Sequence, residues 1–367
     1  MKKLISILSA AVSAAASVPF FSTADTAADE AETIKIMCIG DSITDGYVPE
    51  YTGSYRKFLY HGLTEKGYSI DMVGAKDGGW SPEYTDPATG ESFQFDNENT
   101  GYSGYSIKAY PGRSGILETL QQSKCLQEKK PDIVTLQIGT NNIIDNRDMG
   151  ENRKDLEELV EYIISNIPEE SVLFISTIPA ASPNREGVRD WFMNYRHSAD
   201  WQTQYDDAAV EMSVSKAVKD YNDIVCRSDG KYPNLHVSLA GSGINDANKA
   251  ELLFDGVHPN NDGYRLIGGC WTDIIDEYLR SRSGGTTTST TSATTVTTTT
   301  ATVPETDPRC TVSDLVRLSR FLLGESEDQC GGENFDRYDI CNDNVLDTYD
   351  LVLMRKLLVA YGGTDFV

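Results

Sequence analysis

TIKIMCIGDSITDG, residues 33–46, decides the fold. Residues 34–39 form an apolar run rich in β-branched side chains, which ends abruptly in a glycine, an acid and a serine. A run without polar alternation suits a strand buried on both faces. Four more runs follow, at 70–75 (IDMVGA), 132–138 (DIVTLQI), 171–178 (SVLFISTI) and 235–239 (LHVSL). Helical spacing fills the intervals. Tyr55, Phe58, Leu59 and Leu63 share one face, as do Leu156, Leu159, Val160, Ile163 and Ile164, and a third such helix spans 262–279. Strand–helix alternation predicts an α/β fold, a doubly wound parallel sheet of about five strands. Ligands bind such sheets beyond the carboxyl ends of the strands.

At 367 residues the chain holds one large core and something smaller. Its formal net charge of −24 repels phosphate backbones and anionic lipid, which sets nucleic acid aside as a partner. The N-terminus, MKKLISILSAAVSAAASVPFF, has two lysines, an apolar stretch and then small residues. Residues 1–28 therefore read as a secretory signal peptide, with no membrane insertion after its removal and a secreted product. The competing membrane anchor fits less well, because the apolar core is short for a span of ~20 residues. Residues 283–308 are a Thr-rich, low-complexity linker that cannot bury a core. It separates a body, 33–282, from a tail, 309–367, whose first loop begins near 303. Seven cysteines include no CxxC pair, which speaks against zinc.

The body's polar clusters sit where the strands end. GDSITDG (40–46) follows the first strand and GTNN (139–142) the third, while DGVHPN (255–260) comes after the last strand and a loop. A serine hydroxyl becomes a nucleophile when a base is adjacent and a third group orients the base. Of four histidines, only His258 lies in such a cluster, with Asp255 three residues before it to hold the imidazole. Alone, Ser42 also reads as a helix N-cap, and the 255–258 stretch as a solvated turn. A tetrahedral oxyanion needs fixed donors. The Ser42 N–H, the Asn141 amide and the backbone at Gly104 in GYSG (101–104) are the candidates. His61, His197 and His236 read as structural. Trp191, Tyr195, Trp201 and Tyr205 fall at helical spacings in the 75 residues between Pro179 and Asp255. They read either as an extra helix packed on the core or as a lid or aromatic platform for sugars.

GDSIT, the glycine of YSG, GTNN and DGVHP stand in the order of the four blocks of the SGNH (GDSL-type) hydrolases, which the body resembles from Ile34 to about Tyr278. The resemblance implies a flavodoxin-like sheet. It also implies Ser42 as nucleophile, His258 as base, Asp255 as its orienter, and Ser42, Gly104 and Asn141 as the oxyanion hole, with no cofactor for the chemistry. GDSIT, GYSG and DGVHPN look most like carbohydrate esterase family three, whose members are acetyl xylan esterases. Acetylated xylan is then the expected substrate. Another acyl ester and a non-catalytic glycan-binding subunit are the alternatives. One departure stands out: Asn142 takes the place of the Asp that usually ends the third block, which implies a rewired supporting hydrogen bond.

The tail repeats itself: DLVRLSRFLL starts at Asp314 and DLVLMRKLLV at Asp350, an offset of 36 residues. On a twelve-residue calcium loop, Asp339, Asp343, Asp347 and Asp350 take positions 1, 5, 9 and 12, and Val345 takes position 7, where a backbone carbonyl serves. The first copy keeps only Asp307 and Asp314, so one calcium is expected, on the second loop. A duplicated loop–helix unit after a Thr-rich linker resembles a divergent dockerin, a small all-α module. That resemblance implies docking onto a cohesin of a cellulosome scaffoldin. Cys310 and Cys341 fall in the two loops, and a disulfide between them is expected to share the bracing.

Overall fold

The computed structural model describes residues 33–46, 53–78, 82–87, 89–194 and 207–282, and in the tail residues 317, 318, 321, 322, 338, 346 and 354. Among these residues the body shows eight strands: β1 (Ile34–Gly40), β2 (Ile70–Met72), β3 (Glu83–Thr85), β4 (Ser92–Gln94), β5 (Thr100–Gly101), β6 (Ile133–Gln137), β7 (Val172–Ser176) and β8 (Leu235–Ser238). The helices are α1 (Ser42–Asp45), α2 (Arg56–Glu65), α3 (Ile116–Ser123), α4 (Cys125–Lys129), α5 (Thr140–Ile144), α6 (Met149–Ile164), α7 (Arg189–Met193), α8 (Asp207–Cys226), α9 (Lys249–Leu252) and α10 (Asn261–Arg282).

The main sheet runs β2-β1-β6-β7-β8, every pair parallel. Each apolar run read as a strand is one. The short β5 pairs with the last two residues of β1, Ile39 with Thr100 and Gly40 with Gly101, while β2 pairs with its first three. The antiparallel β3–β4 hairpin lies outside this sheet. Its two three-residue strands carry too little pattern to be seen in the sequence. After β1 the chain first builds outward to β2 and then returns to place β6 on the other side of β1. Strand order thus reverses between β1 and β6, and the crevice of a doubly wound sheet opens at that point.

Two cores explain the unbroken apolar runs. Met37, Ile39, Val134, Leu136, Leu173 and Ile175 point to one face, where α3, α6 and α8 cover them. Ile36, Cys38, Ile133, Val172 and Phe174 point to the other, under α2 and α10. Successive strand residues alternate between these faces, so a strand covered on both sides needs apolar residues throughout. Cys38 and Cys125 are buried in these cores as small hydrophobes.

In the tail, the described residues Leu318, Tyr338 and Met354 are buried together, with Phe321, Leu322 and Leu346 against them. Asp339, Asp343, Val345, Asp347, Asp350, the first loop, Cys310 and Cys341, the linker and residues 1–28 lie outside the described residues.

Candidate active site

The opening glycine of GDSITDG marks a close approach. A Cβ on Gly40 would lie 2.2 Å from both the Gln137 carbonyl oxygen of β6 and Thr44 Oγ1. The chain then turns into α1, whose N-cap is Asp41: its Oδ1 accepts from the Ile43 N–H at 3.0 Å. Ser42 is the first helical residue, 6% exposed. A helix of four residues has no stability of its own. Its neighbours hold it. Arg56, fully buried, donates from Nε to the Thr44 carbonyl at 2.9 Å and from Nη1 to the Asn97 carbonyl at 3.0 Å. Asp45 accepts from Ser103 Oγ at 2.8 Å and pairs with Lys76, whose ammonium also donates to the Gly101 carbonyl at 2.6 Å. The second motif, GYSG, is thereby tied to the end of the first.

The C-terminal motif meets Ser42 across 216 positions of chain. His258 Nε2 lies 2.8 Å from Ser42 Oγ, and His258 Nδ1 lies 2.7 Å from Asp255 Oδ2. Asp255 Oδ1 accepts from the backbone N–H groups of Val257 (2.9 Å) and His258 (2.8 Å), which fixes the turn. Burial works to raise the Asp255 carboxyl, but the hydrogen bond and charge of the His258 ring, with those two N–H donors, hold it below the usual carboxylate range. A carboxylate takes the Nδ1 proton as its hydrogen-bond donor, which leaves the Nε2 lone pair directed at the serine hydroxyl. Serine, imidazole and carboxylate so connected are equipped for nucleophilic acyl transfer.

Gly104 and Asn141 come from the turns after β5 and β6, the two strands that pair with the end of β1. Gly104 has φ of +81°, which favours glycine. Asn141, in the first turn of α5, donates from Nδ2 to the Tyr105 carbonyl at 2.8 Å, next to Gly104 in the chain. Arg113 braces the same pair from outside. Its guanidinium is bidentate on Asp145 at the end of α5 (2.6 and 2.7 Å) and donates to the Gly104 carbonyl at 3.2 Å.

The Asn142 departure has a structural answer. Its side chain is fully buried, its Oδ1 accepts from the Ile107 N–H at 3.2 Å, and its Nδ2 donates to Asn152 Oδ1 at 2.9 Å. A neutral amide both accepts and donates, so the buried site is satisfied without a charge.

The remaining histidines separate by place. His61 on α2 stacks on Phe93 with ring centroids 4.0 Å apart, and His236 on β8 lies against Phe174 and Tyr278. His197 is outside the described residues, as are Tyr195, Trp201 and Tyr205. Trp191 on α7 stands edge-to-face on His258, centroids 6.4 Å apart. Nothing in the sequence marks Arg56, Arg113 or the burial of Asp41, because each depends on contacts distant along the chain. A cavity of about 600 Å³ beyond β7 and β8, walled by Asn222 and Asn245 among others, does not include Ser42, Asp255 or His258.

A family model described as GDSL-like lipase/acylhydrolase matches residues 36–271, well over half of the chain. A multidomain esterase of Ruminococcus flavefaciens is 35% identical over 268 residues, which are 70% of this chain and 30% of that protein. This chain thus spans less than a third of that relative's length. Among solved structures, a carbohydrate esterase family 3 protein from Talaromyces cellulolyticus is similar at 19% identity, covering 68% of this chain and 99% of that one with a TM-score of 0.44. A Clostridium thermocellum family 3 carbohydrate esterase is similar at 25% identity, covering 69% and 100%, with a TM-score of 0.42. With the family model spanning from β1 into α10 and so across all four motifs, the chain belongs to the GDSL-like lipase/acylhydrolase family, the SGNH-type hydrolases.

Proposed function

We propose that this chain is a secreted serine esterase that removes acetyl groups from plant cell-wall polysaccharide, acetylated xylan first of all. The observation that carries the reading is the hydrogen-bond chain Ser42–His258–Asp255 at 2.8 and 2.7 Å. Ser42 Oγ attacks the acetyl carbonyl carbon while His258 Nε2 takes its proton. The oxyanion is met by the N–H groups of Ser42 and Gly104 and by the Asn141 amide. His258 then gives its proton to the departing sugar oxygen, leaving acetyl-Ser42. Water attacks that ester, again deprotonated by His258, and acetate leaves as Ser42 Oγ recovers the proton. Asp255 holds the ring and stabilises the imidazolium in both halves. The wording of GDSIT, GYSG and DGVHPN supports an acetylated glycan, and the Ruminococcus flavefaciens relative, named an esterase, supports an ester.

The reading extends beyond the body. Residues 1–28 direct export, and residues 283–308 tether a dockerin-like module. One calcium sits on Asp339, Asp343, the Val345 carbonyl, Asp347 and Asp350, and the module docks onto a cohesin of a scaffoldin. Leu318 and Met354 support the duplication, since they hold equivalent places 36 residues apart and are buried in one cluster.

The test compares wild type with Ser42→Ala on acetylated xylan, p-nitrophenyl acetate and a long-chain p-nitrophenyl ester. Acetate release from xylan and its loss in Ser42→Ala, by at least about 10³-fold, is the expected result. Equal rates for the two proteins would end the triad reading, and activity confined to the long-chain ester would end the xylan reading.

A further inference from the structure

Among the described residues, four large apolar side chains are exposed: Trp191 (39%), Met212 (68%), Phe254 (52%) and Leu266 (37%). Trp191 is set apart by its neighbour, for its indole and the ring of His258 stand edge-to-face with centroids 6.4 Å apart. Its support is rigid. The next two residues of α7, Phe192 and Met193, are fully buried in the core. The loop before α7 is fastened to the catalytic turn, with Ser182 N–H donating to the Gly256 carbonyl at 2.7 Å and Arg185 Nη1 to the Leu253 carbonyl at 2.7 Å. An indole held open to water beside a reacting centre forgoes the burial that a tryptophan gains in a core.

We propose that Trp191 is the platform on which the sugar ring carrying the acyl group stacks, in the esterase reading given above on which this rests. A pyranose presents a flat patch of C–H groups and a rim of hydroxyls. An indole covers the patch and leaves the rim to polar groups and water. With the ring against Trp191, a substituent on its edge reaches past the indole toward His258 and Ser42. A long acyl chain needs a continuous apolar wall, whereas only these four large apolar side chains are exposed among the described residues. The net charge of −24 also favours a neutral sugar over an anionic headgroup.

The experiment uses the full chain as wild type, Trp191→Ala, Trp191→Phe and, as a surface control, Met212→Ala. It measures kcat and KM on an acetylated xylo-oligosaccharide and on p-nitrophenyl acetate, which has no sugar ring. In Trp191→Ala the ratio of the two kcat/KM values falls about tenfold against wild type, through KM for the oligosaccharide. Trp191→Phe recovers most of it, and Met212→Ala leaves it unchanged. In a Ser42→Ala background, unacetylated xylohexaose quenches tryptophan fluorescence, and the added Trp191→Phe substitution removes that quenching. An unchanged ratio, an equal loss on both substrates, or quenching that survives Trp191→Phe would overturn the platform. Failure of the esterase reading looks different: p-nitrophenyl acetate is then hydrolysed equally with and without Ser42.

Discussion

Asp41 is 1% exposed and stands between the serine turn and α5. Burial pushes its carboxyl up to about 6, against the Ile43 N–H, the His258 ring and Thr140, which all pull it down. Among the described residues, its Oδ2 finds no hydrogen-bond partner of good geometry. The folded protein therefore holds this proton up to about pH 6, while the unfolded chain releases it near 3.9. Between those values the native state binds more protons, so the contribution of Asp41 to stability falls as pH rises from about 4 to about 6 and then stays level. The loss is up to about 3 kcal/mol. Asp41→Asn, which keeps the cap and cannot ionise, is expected to gain stability relative to wild type on going from pH 4.5 to 7.5 in urea unfolding. Parallel pH dependences for the two proteins would refute the assignment. At this scale Ser42, Asp255 and His258 were legible because their motifs are local and their chemistry is distinctive. Asp41 sits inside the same motif, yet two of its partners, Thr140 on α5 and His258, are distant along the chain, and no local pattern shows them.

The α2–α10 crossing shows how packing overrides propensity. Gly268 and Gly269 are neighbours within α10. A Cβ on Gly268 would lie 2.6 Å from Phe58 Cβ and 2.7 Å from the Tyr55 carbonyl oxygen, whereas one on Gly269 would meet nothing within 4 Å. Gly269→Ala is therefore expected to stabilise the protein by about 0.5–1 kcal/mol, the usual gain for alanine in a helix interior. Gly268→Ala is expected to cost about 1–3 kcal/mol through overpacking. Urea midpoints of the two variants decide the matter, and equal shifts would mean that the helices do not approach so closely. The central strands and long helices were legible, since apolar runs and 3.6-residue spacing report burial directly. Shorter pieces were not. The hairpin β3–β4 has three residues a side, and α7 has five, too few for a period to emerge.

At the scale of the whole molecule, the proposed dockerin-like tail makes a prediction of its own. On the calcium-loop reading, the carboxylates of Asp339, Asp343, Asp347 and Asp350 and the Val345 carbonyl at position 7 are the proposed ligands. Calorimetric titration of the calcium-stripped full chain is expected to show one calcium site, lost in Asp339→Ala together with Asp350→Ala, with p-nitrophenyl acetate hydrolysis by the body retained. Two equivalent sites would mean that the loop containing Asp307 and Asp314 also binds, and no site would end the calcium reading. The body carries a different long-range consequence. Its serine and its imidazole are joined by a hydrogen bond across 216 positions of chain. At about 5–20 residues per second, synthesis delivers the second partner roughly 10–40 s after the first. Until the DGVHPN turn has been made and docked, the emerging polypeptide lacks the imidazole that the serine needs, and recovered turnover during refolding reports the joining of these two distant segments.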